Sequence, residues 1–125
     1  MKKNKILYKE LSYEIIGLAM KVHTILGPGF LEKVYENALM VLFGKEGIKA
    51  VQQAPIKVKF ENEIVGNYYA DILIENKIIL ELKTVEKITD IHRAQALNYL
   101  KATGLKLAII LNFDAKSLEY ERLVL

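Results

Sequence analysis

The chain has 125 residues and a formal net charge of +3, and its 52% hydrophobic and 26% charged residues are typical of one globular domain rather than of a disordered chain. Cysteine is absent, which excludes disulfides, thiolate zinc sites and a cysteine nucleophile and fits a cytoplasmic location. No segment approaches the roughly 18 uncharged apolar residues of a membrane span, and the mild positive charge is compatible with nucleic acid without requiring it.

The first two predicted elements are helices. Between Tyr8 and Leu26 the apolar residues recur at helical spacing, which indicates an amphipathic helix, and the glycine-proline-glycine run at 27–29 ends it. A second helix is predicted over Phe30–Lys45, because an apolar stripe continues until Gly44 and Gly47. The apolar face of the first helix is a candidate surface for a homodimer, and so is the last strand of the chain.

The middle of the chain changes to the periodicity of strands. Apolar and polar residues alternate over Ile56–Phe60, as in a half-exposed strand. A turn at 61–63 precedes a second strand over Ile64–Ile74, and a turn at 75–77 precedes a third over Ile78–Lys83. These short connections predict an antiparallel meander.

The last part of the chain predicts a helix between strands. The helix runs over Asp90–Ala102, with Thr89 or Asp90 as its cap and Gly104 at its end. Residues 105–111 are nearly all apolar, so we expect a strand buried on both faces that pairs parallel with the third strand through the helical crossover. Residues 118–125 form an edge strand or a short helix. The order α-α-β-β-β-α-β predicts a single α/β (α+β) domain over residues 1–125, with a mixed central sheet flanked by helices.

Two acids and a lysine stand out in the meander. Alternation places Glu81 and Lys83 on one face of the third strand, at the end of an otherwise apolar segment. A three-residue loop at 75–77 would place Asp71 directly opposite Glu81, whereas a two-residue loop would turn the two carboxylates to opposite faces. Facing carboxylates repel each other unless a cation lies between them, and oxygen ligands suit magnesium or manganese. A surface salt-bridge cluster would also explain the three residues.

Other polar residues lie on the predicted helices. Glu32 is in the first turn of the second helix, where any carboxylate is favoured by the helix dipole. Tyr35 follows it by three residues. Gln95 and Tyr99 lie one turn apart on the third helix. Each of them alone is compatible with an ordinary position on a helix surface.

Taken in order, these residues resemble a known family. Residues 29–35 match the pattern of the GxxExxY protein family, and Asp71, then Glu81 to Lys83, then Gln95 to Tyr99, resemble the core of the PD-(D/E)XK nuclease superfamily with the QxxxY element of its RecB-like members. The resemblance extends from about residue 15 to 113. Ala70 departs from it, because it stands where the superfamily name has proline.

The resemblance implies a restriction-endonuclease-like core and a site on these residues. Asp71 and Glu81 would bind a divalent metal, Mg²⁺ or Mn²⁺, with the backbone carbonyl of Leu82 as a further ligand. Glu32 would bind a second metal or its water. Lys83 would orient or deprotonate the attacking water or neutralise charge in the transition state. Gln95 and Tyr99 would position this lysine or the substrate phosphate.

The function implied by the resemblance is a magnesium-dependent endonuclease or exonuclease acting on DNA. The small size and basic charge are similar to those of archaeal Holliday-junction resolvases, so branched DNA is a candidate substrate. One alternative is a non-catalytic module that binds nucleic acid or protein and retains the nuclease fold. Another is a structural interaction protein in which the carboxylates merely cap and pair.

Overall fold

A five-stranded sheet lies between two helical layers in the computed structural model, which describes residues 6–125. The predicted domain over residues 1–125 also includes residues 1–5, which lie outside the described part. The elements are α1 (Lys9–Leu26), α2 (Glu32–Lys45), β1 (Ala50–Phe60), β2 (Glu63–Ile74), β3 (Ile78–Lys83), α3 (Asp90–Thr103), β4 (Leu107–Asn112) and β5 (Glu119–Val124).

The sheet has the strand order β1-β2-β3-β4-β5. Neighbouring strands are antiparallel except for β3 and β4, which pair parallel across the α3 crossover. The predicted mixed sheet, the parallel pair and the element order are therefore confirmed. The chain after residue 117, predicted as an edge strand or a short helix, forms the edge strand β5. Within residues 6–125, no helix combines the length and the apolarity that crossing a bilayer requires.

Hydrophobic side chains alternate between two cores, one on each face of the sheet. On β3, Ile78, Leu80 and Leu82 pack against α1 and α2, whereas Ile79 packs against α3. All six residues of β4 are buried, as predicted for a strand covered on both faces, although the strand begins at Leu107 rather than at residue 105. The alternation is interrupted on β2, where Ala70 and Ile72 belong to different cores.

The apolar face of α1 belongs to the core. Ile15, Ala19 and Val22 are buried against the sheet and α2. The prediction that this face could serve a homodimer is therefore wrong, because folding within one chain already covers it. The apolar face of α1 packs against α2 and the sheet of the same chain rather than against a second copy of the protein.

The structure corrects two predicted boundaries. Strand β1 begins at Ala50 rather than at Ile56, because Gln52 and Gln53 continue the strand while their polar side chains reach α2. Helix α2 begins at Glu32 rather than at Phe30, because the backbone of the residue before Glu32 is extended. The first boundary depends on a partner that is distant in sequence, whereas the second follows from the local backbone conformation.

Strands β1 and β2 form a hairpin that extends beyond the rest of the sheet. Its turn residues, Glu61 and Asn62, both have positive φ, as in the two-residue hairpin turns whose twist matches that of the strands. Only residues 72–74 of β2 are in register with β3, at residues 78–80. The predicted three-residue loop at 75–77 is confirmed.

A buried asparagine fixes the segment that follows β3. Asn112, at the end of β4, is completely buried. Its side-chain amide donates to the Val85 carbonyl at 2.8 Å and to Glu119 Oε1 at 2.9 Å, and its Oδ1 accepts from the Val85 amide at 3.1 Å. This side chain therefore joins the start of the loop between β3 and α3 to β4 and β5.

We expect Asn112→Ala to lower the free energy of unfolding by about 1–3 kcal/mol or more, since it leaves buried backbone groups without partners. Urea unfolding followed by circular dichroism measures the change. Asn67→Ala, at an exposed position of β2, is the control and should change the free energy by less than about 0.5 kcal/mol. Equal effects of both substitutions would contradict this role of Asn112.

Candidate active site

Strands β2 and β3 separate directly after the Ile72–Leu80 pair, and two acids lie in the fork. Continuing the register beyond this pair places Asp71 opposite Glu81. The backbone amide of Asp71 donates to Glu81 Oε2 at 3.1 Å, and the amide of Leu82 donates to Asp71 Oδ2 at 2.7 Å. Each carboxylate thus accepts a hydrogen bond from the opposite strand, in place of the backbone ladder.

The fork coincides with a shift in the alternation of β2. Residues two apart on a regular strand share a face, but Ala70 packs in the core beside α3 and Ile72 in the core beside α1 and α2. The residue opposite Asp71 on β1 is Gln53, since its neighbours on either side pair with Ile72 and Ala70. Gln53 has a φ of 50°, a left-handed conformation that costs a non-glycine residue on the order of 1–3 kcal/mol. Backbone strain is therefore located beside the acidic pair.

Both carboxyl groups resist ionisation in this environment. Burial, and then the charge of Asp71, raise the pKa of Glu81 to about 8. Burial also raises the pKa of Asp71, with contributions from the negative charges of Glu36 and Glu32, against the opposing effect of the Leu82 amide. The pair therefore favours any cation that enters the fork.

The acids lack a fixed cationic partner. Within residues 6–125 the salt bridges join Lys33 to Glu36 and Arg93 to Asp90 and Glu121, so none includes Asp71 or Glu81. This excludes, for the described chain, the simple salt-bridge cluster that the sequence left open. A half-buried and a buried acid that lie together without a direct salt bridge form the kind of site that a hard cation can occupy.

Lys83 is held by α3 rather than by the acids. Its Nζ donates to Gln95 Oε1 at 3.3 Å, and its charge lowers the pKa of both Asp71 and Glu81. The lysine therefore lies near the fork, with its ammonium group directed by a neutral partner.

Tyr99 lies beside the same group of residues. Burial raises the pKa of its hydroxyl, and the charges of Glu81 and Asp71 raise it further, while a hydrogen bond with Gln95 lowers it. At neutral pH Tyr99 is therefore a hydrogen-bonding group without charge. The predicted pair on α3 is thus adjacent to the predicted acids and lysine.

Glu32 lies at the start of α2, and its charge raises the pKa of both acids in the fork. Its side chain is exposed. The neighbouring Tyr35 is completely buried, donates to the Gly27 carbonyl at 2.6 Å and accepts from the Phe30 amide at 3.1 Å. Tyr35 therefore fixes the loop from which Glu32 projects, and its own role is structural.

Sequence reasoning missed Glu36. This residue is buried and accepts hydrogen bonds from Lys33 Nζ at 3.0 Å, Gln52 Nε2 at 2.6 Å and Gln53 Nε2 at 3.1 Å. It thereby joins α2 to the strained residue opposite Asp71. Its position one helical turn after the predicted glutamate of α2 is the signal in the sequence that would have indicated it.

The donor set fits a divalent cation with oxygen ligands, although it is small. Asp71 and Glu81 provide two carboxylates. The observed contact of Leu82 is a hydrogen bond from its amide to Asp71, rather than one through its predicted carbonyl. Over residues 6–125, no group of three or more Asp, Glu or His side chains converges closely enough to hold an ion. Backbone carbonyl, water or substrate oxygens would have to complete the coordination.

Comparison with known proteins identifies the same family. A family model described as the PD-(D/E)XK nuclease superfamily matches residues 9–123. The crystal structure of SSO0001 superposes with a TM-score of 0.55 at 19% sequence identity, over 74% of this chain and 50% of that chain. The chain thus spans about half the length of that structure, and the likeness shows a shared fold. No curated protein matches the sequence significantly. The family match and the sheet topology confirm the predicted fold class.

We expect the metal-free protein to lose stability as the pH rises from about 5 to 8. The pKa of Glu81 is near 4.5 in an unfolded chain and about 8 in the folded protein. Between these values the folded state holds a proton that the unfolded state has released, so the free energy of unfolding falls with increasing pH.

Urea unfolding in EDTA across this range measures the slope. Glu81→Gln should flatten it, because the amide does not ionise. Glu86→Gln, at an exposed site, should leave it as in the wild type. The same slope in the wild type and in Glu81→Gln would show that this carboxyl group ionises normally.

Proposed function

Because this chain belongs to the PD-(D/E)XK nuclease superfamily, we propose that it is a metal-dependent nuclease that hydrolyses phosphodiester bonds in DNA. The observation that carries the proposal is the pair of acids in the strand fork, the half-buried Asp71 and the buried Glu81, neither of which forms a salt bridge with a cationic side chain of residues 6–125. Within the superfamily we assign it to the GxxExxY group on Gly29, Glu32 and Tyr35, and we take residues 1–125 as one nuclease-like domain.

We propose that Asp71, Glu81 and the Leu82 carbonyl hold Mg²⁺ or Mn²⁺. Such an ion would neutralise charge on the phosphate and the leaving oxygen and lower the pKa of an attacking water. The backbone amides that contact both carboxylates keep these side chains from rotating away. Glu32, exposed at the start of α2, would supply a second acidic group for an ion or a water on the solvent side.

Lys83 provides positive charge beside the two acids. Gln95 accepts a hydrogen bond from its Nζ, which leaves the other two ammonium protons free to contact a phosphate oxygen. A fixed positive charge where negative charge develops stabilises the transition state. Tyr99, which forms a hydrogen bond with Gln95, would help to hold Gln95 and Lys83 in position.

A non-catalytic module that binds nucleic acid or protein is the second candidate. The observation that favours it is the small acidic set, since no three acidic side chains converge in the described part of the chain. A module of this kind would bind DNA without cleaving it. We further propose a cytoplasmic location and a homodimer that pairs through the outer edge of β5.

We expect Lys83→Ala and Asp71→Asn each to lower the rate of DNA cleavage by at least about a hundredfold, because each removes a group that acts on the reacting phosphate. The assay incubates purified protein with branched, duplex and single-stranded DNA in the presence of Mn²⁺. The matched controls are Lys106→Ala and Asp114→Asn, both at exposed positions, which should cleave as the wild type does. Cleavage that persists in both site variants would assign the activity to another site or to a contaminant.

We expect Mg²⁺ and Mn²⁺ to raise the melting temperature of the wild type. An ion at a hundred times its dissociation constant adds about 2.7 kcal/mol to the free energy of unfolding. Asp71→Asn should lose this increase and Asp114→Asn should retain it, as measured by thermal unfolding with and without the ion. An unchanged melting temperature of the wild type over millimolar ion would favour the non-catalytic module.

A further inference from the structure

A second feature lies beside the acidic fork. A cavity of about 1000 Å³ separates α3 from the outer part of the β1–β2 hairpin. Three lysines line it, Lys57, Lys59 and Lys101, and none of its lining residues is acidic. Its volume is at the upper end of the range for ligand sites in proteins. The cavity therefore favours an anionic occupant of considerable size.

Two aromatic rings lie inside this cavity. Tyr68 is 48% exposed, whereas Tyr99 is buried. The centroids of the two rings are 5.6 Å apart. Tyr99 therefore supports one side of Tyr68, and the rest of that ring stays open to the cavity. Gly66 makes room for the ring, since a Cβ atom at this position would come within 3.3 Å of Tyr68 Cε2.

We propose that this cavity binds an unpaired DNA strand, with a base stacked on Tyr68 and the backbone phosphates near the three lysines. Proteins hold single strands by this combination of a positively charged groove and exposed aromatic rings. A base inside a duplex already has neighbours on both faces and cannot reach a ring within a cavity. The mixed aromatic and basic lining thus selects single-stranded over duplex DNA.

The cavity adjoins the candidate active site, with which it shares two residues. Gln95 and Tyr99 line the cavity, and Gln95 accepts the hydrogen bond from Lys83. A strand stacked on Tyr68 would therefore extend past Gln95 toward Lys83 and the fork. This step rests on the proposed nuclease function and narrows its substrate to DNA with an unpaired segment next to the scissile bond, such as a flap, a frayed end or a branch point.

The test measures binding separately from cleavage. Fluorescence anisotropy in EDTA follows a labelled oligothymidine strand and a duplex of equal length. We expect the wild type to bind the single strand more tightly and Tyr68→Ala to weaken this binding by at least about fivefold, as for the loss of one stacked base. Tyr68→Phe, which keeps the ring, should bind as the wild type does. Tyr69→Ala is the matched control, since Tyr69 is the next residue of β2, is 55% exposed and lies outside the cavity.

The lysines are tested by the salt dependence of the same binding. Loss of one phosphate contact reduces the slope of log affinity against log salt concentration by about 0.7 for a single strand. We expect Lys101→Gln to reduce the slope in this way. Lys106→Gln, which removes an exposed lysine outside the cavity, should leave the slope unchanged.

The outcomes separate this inference from the proposed function. If Tyr68→Ala weakens binding but no protein cleaves DNA, the cavity stands as a single-strand site and the nuclease proposal fails. If cleavage depends on Asp71 but Tyr68→Ala and Tyr69→Ala bind the single strand alike, the cavity proposal is overturned. Equal affinity of the wild type for duplex and single strand would also overturn it.

Discussion

The arrangement of the site depends on two hydrogen bonds across the strand fork, one from the Asp71 amide to Glu81 and one from the Leu82 amide to Asp71. Where β2 leaves β3, the amides of Asp71 and Leu82 would lose their ladder partners, and the two carboxylates accept these hydrogen bonds instead. The acids are thus part of the sheet as well as of the site. Their burial raises both pKa values, so the fold maintains an unfavourable electrostatic arrangement that a bound cation would relieve.

The elements around the fork hold it open at a cost in backbone energy. Gln53, opposite Asp71, has a left-handed backbone, and its side chain donates to the buried Glu36 of α2. The same Glu36 raises the pKa of Asp71 through its charge. Helix α2 therefore contributes in two ways, since it presents Glu32 at its exposed start and stabilises the strained strand one turn later. A neutral side chain at position 36 would change the geometry and the charge of the fork together.

The sequence was sufficient for those parts of the site that depend on local periodicity. The three-residue loop at 75–77 and the alternation on β3 together determine that Asp71 faces Glu81, and both are visible in the residues themselves. The shift of alternation at Asp71 was not predictable, because it depends on the conformation of Gln53, on a strand whose first half looked like a loop. The cavity beside α3 was missed for the same reason, since its walls come from elements distant in the chain. For Glu36 only the strand partners were hidden in this way, because its position one turn after Glu32 is visible in the sequence.

The sheet topology places the acids and the cavity on different parts of β2. The acids lie where β2 leaves β3, directly beyond the Ile72–Leu80 pair, so their positions are tied to the buried centre of the sheet. Tyr68 lies nearer the start of β2, outside the segment that pairs with β3, on a part of the hairpin that faces α3 across the cavity. Sequence changes in this outer part can alter the lining of the cavity without disturbing the acids. Helix α3 connects the two regions, because Gln95 contacts Lys83 on one side and lines the cavity on the other.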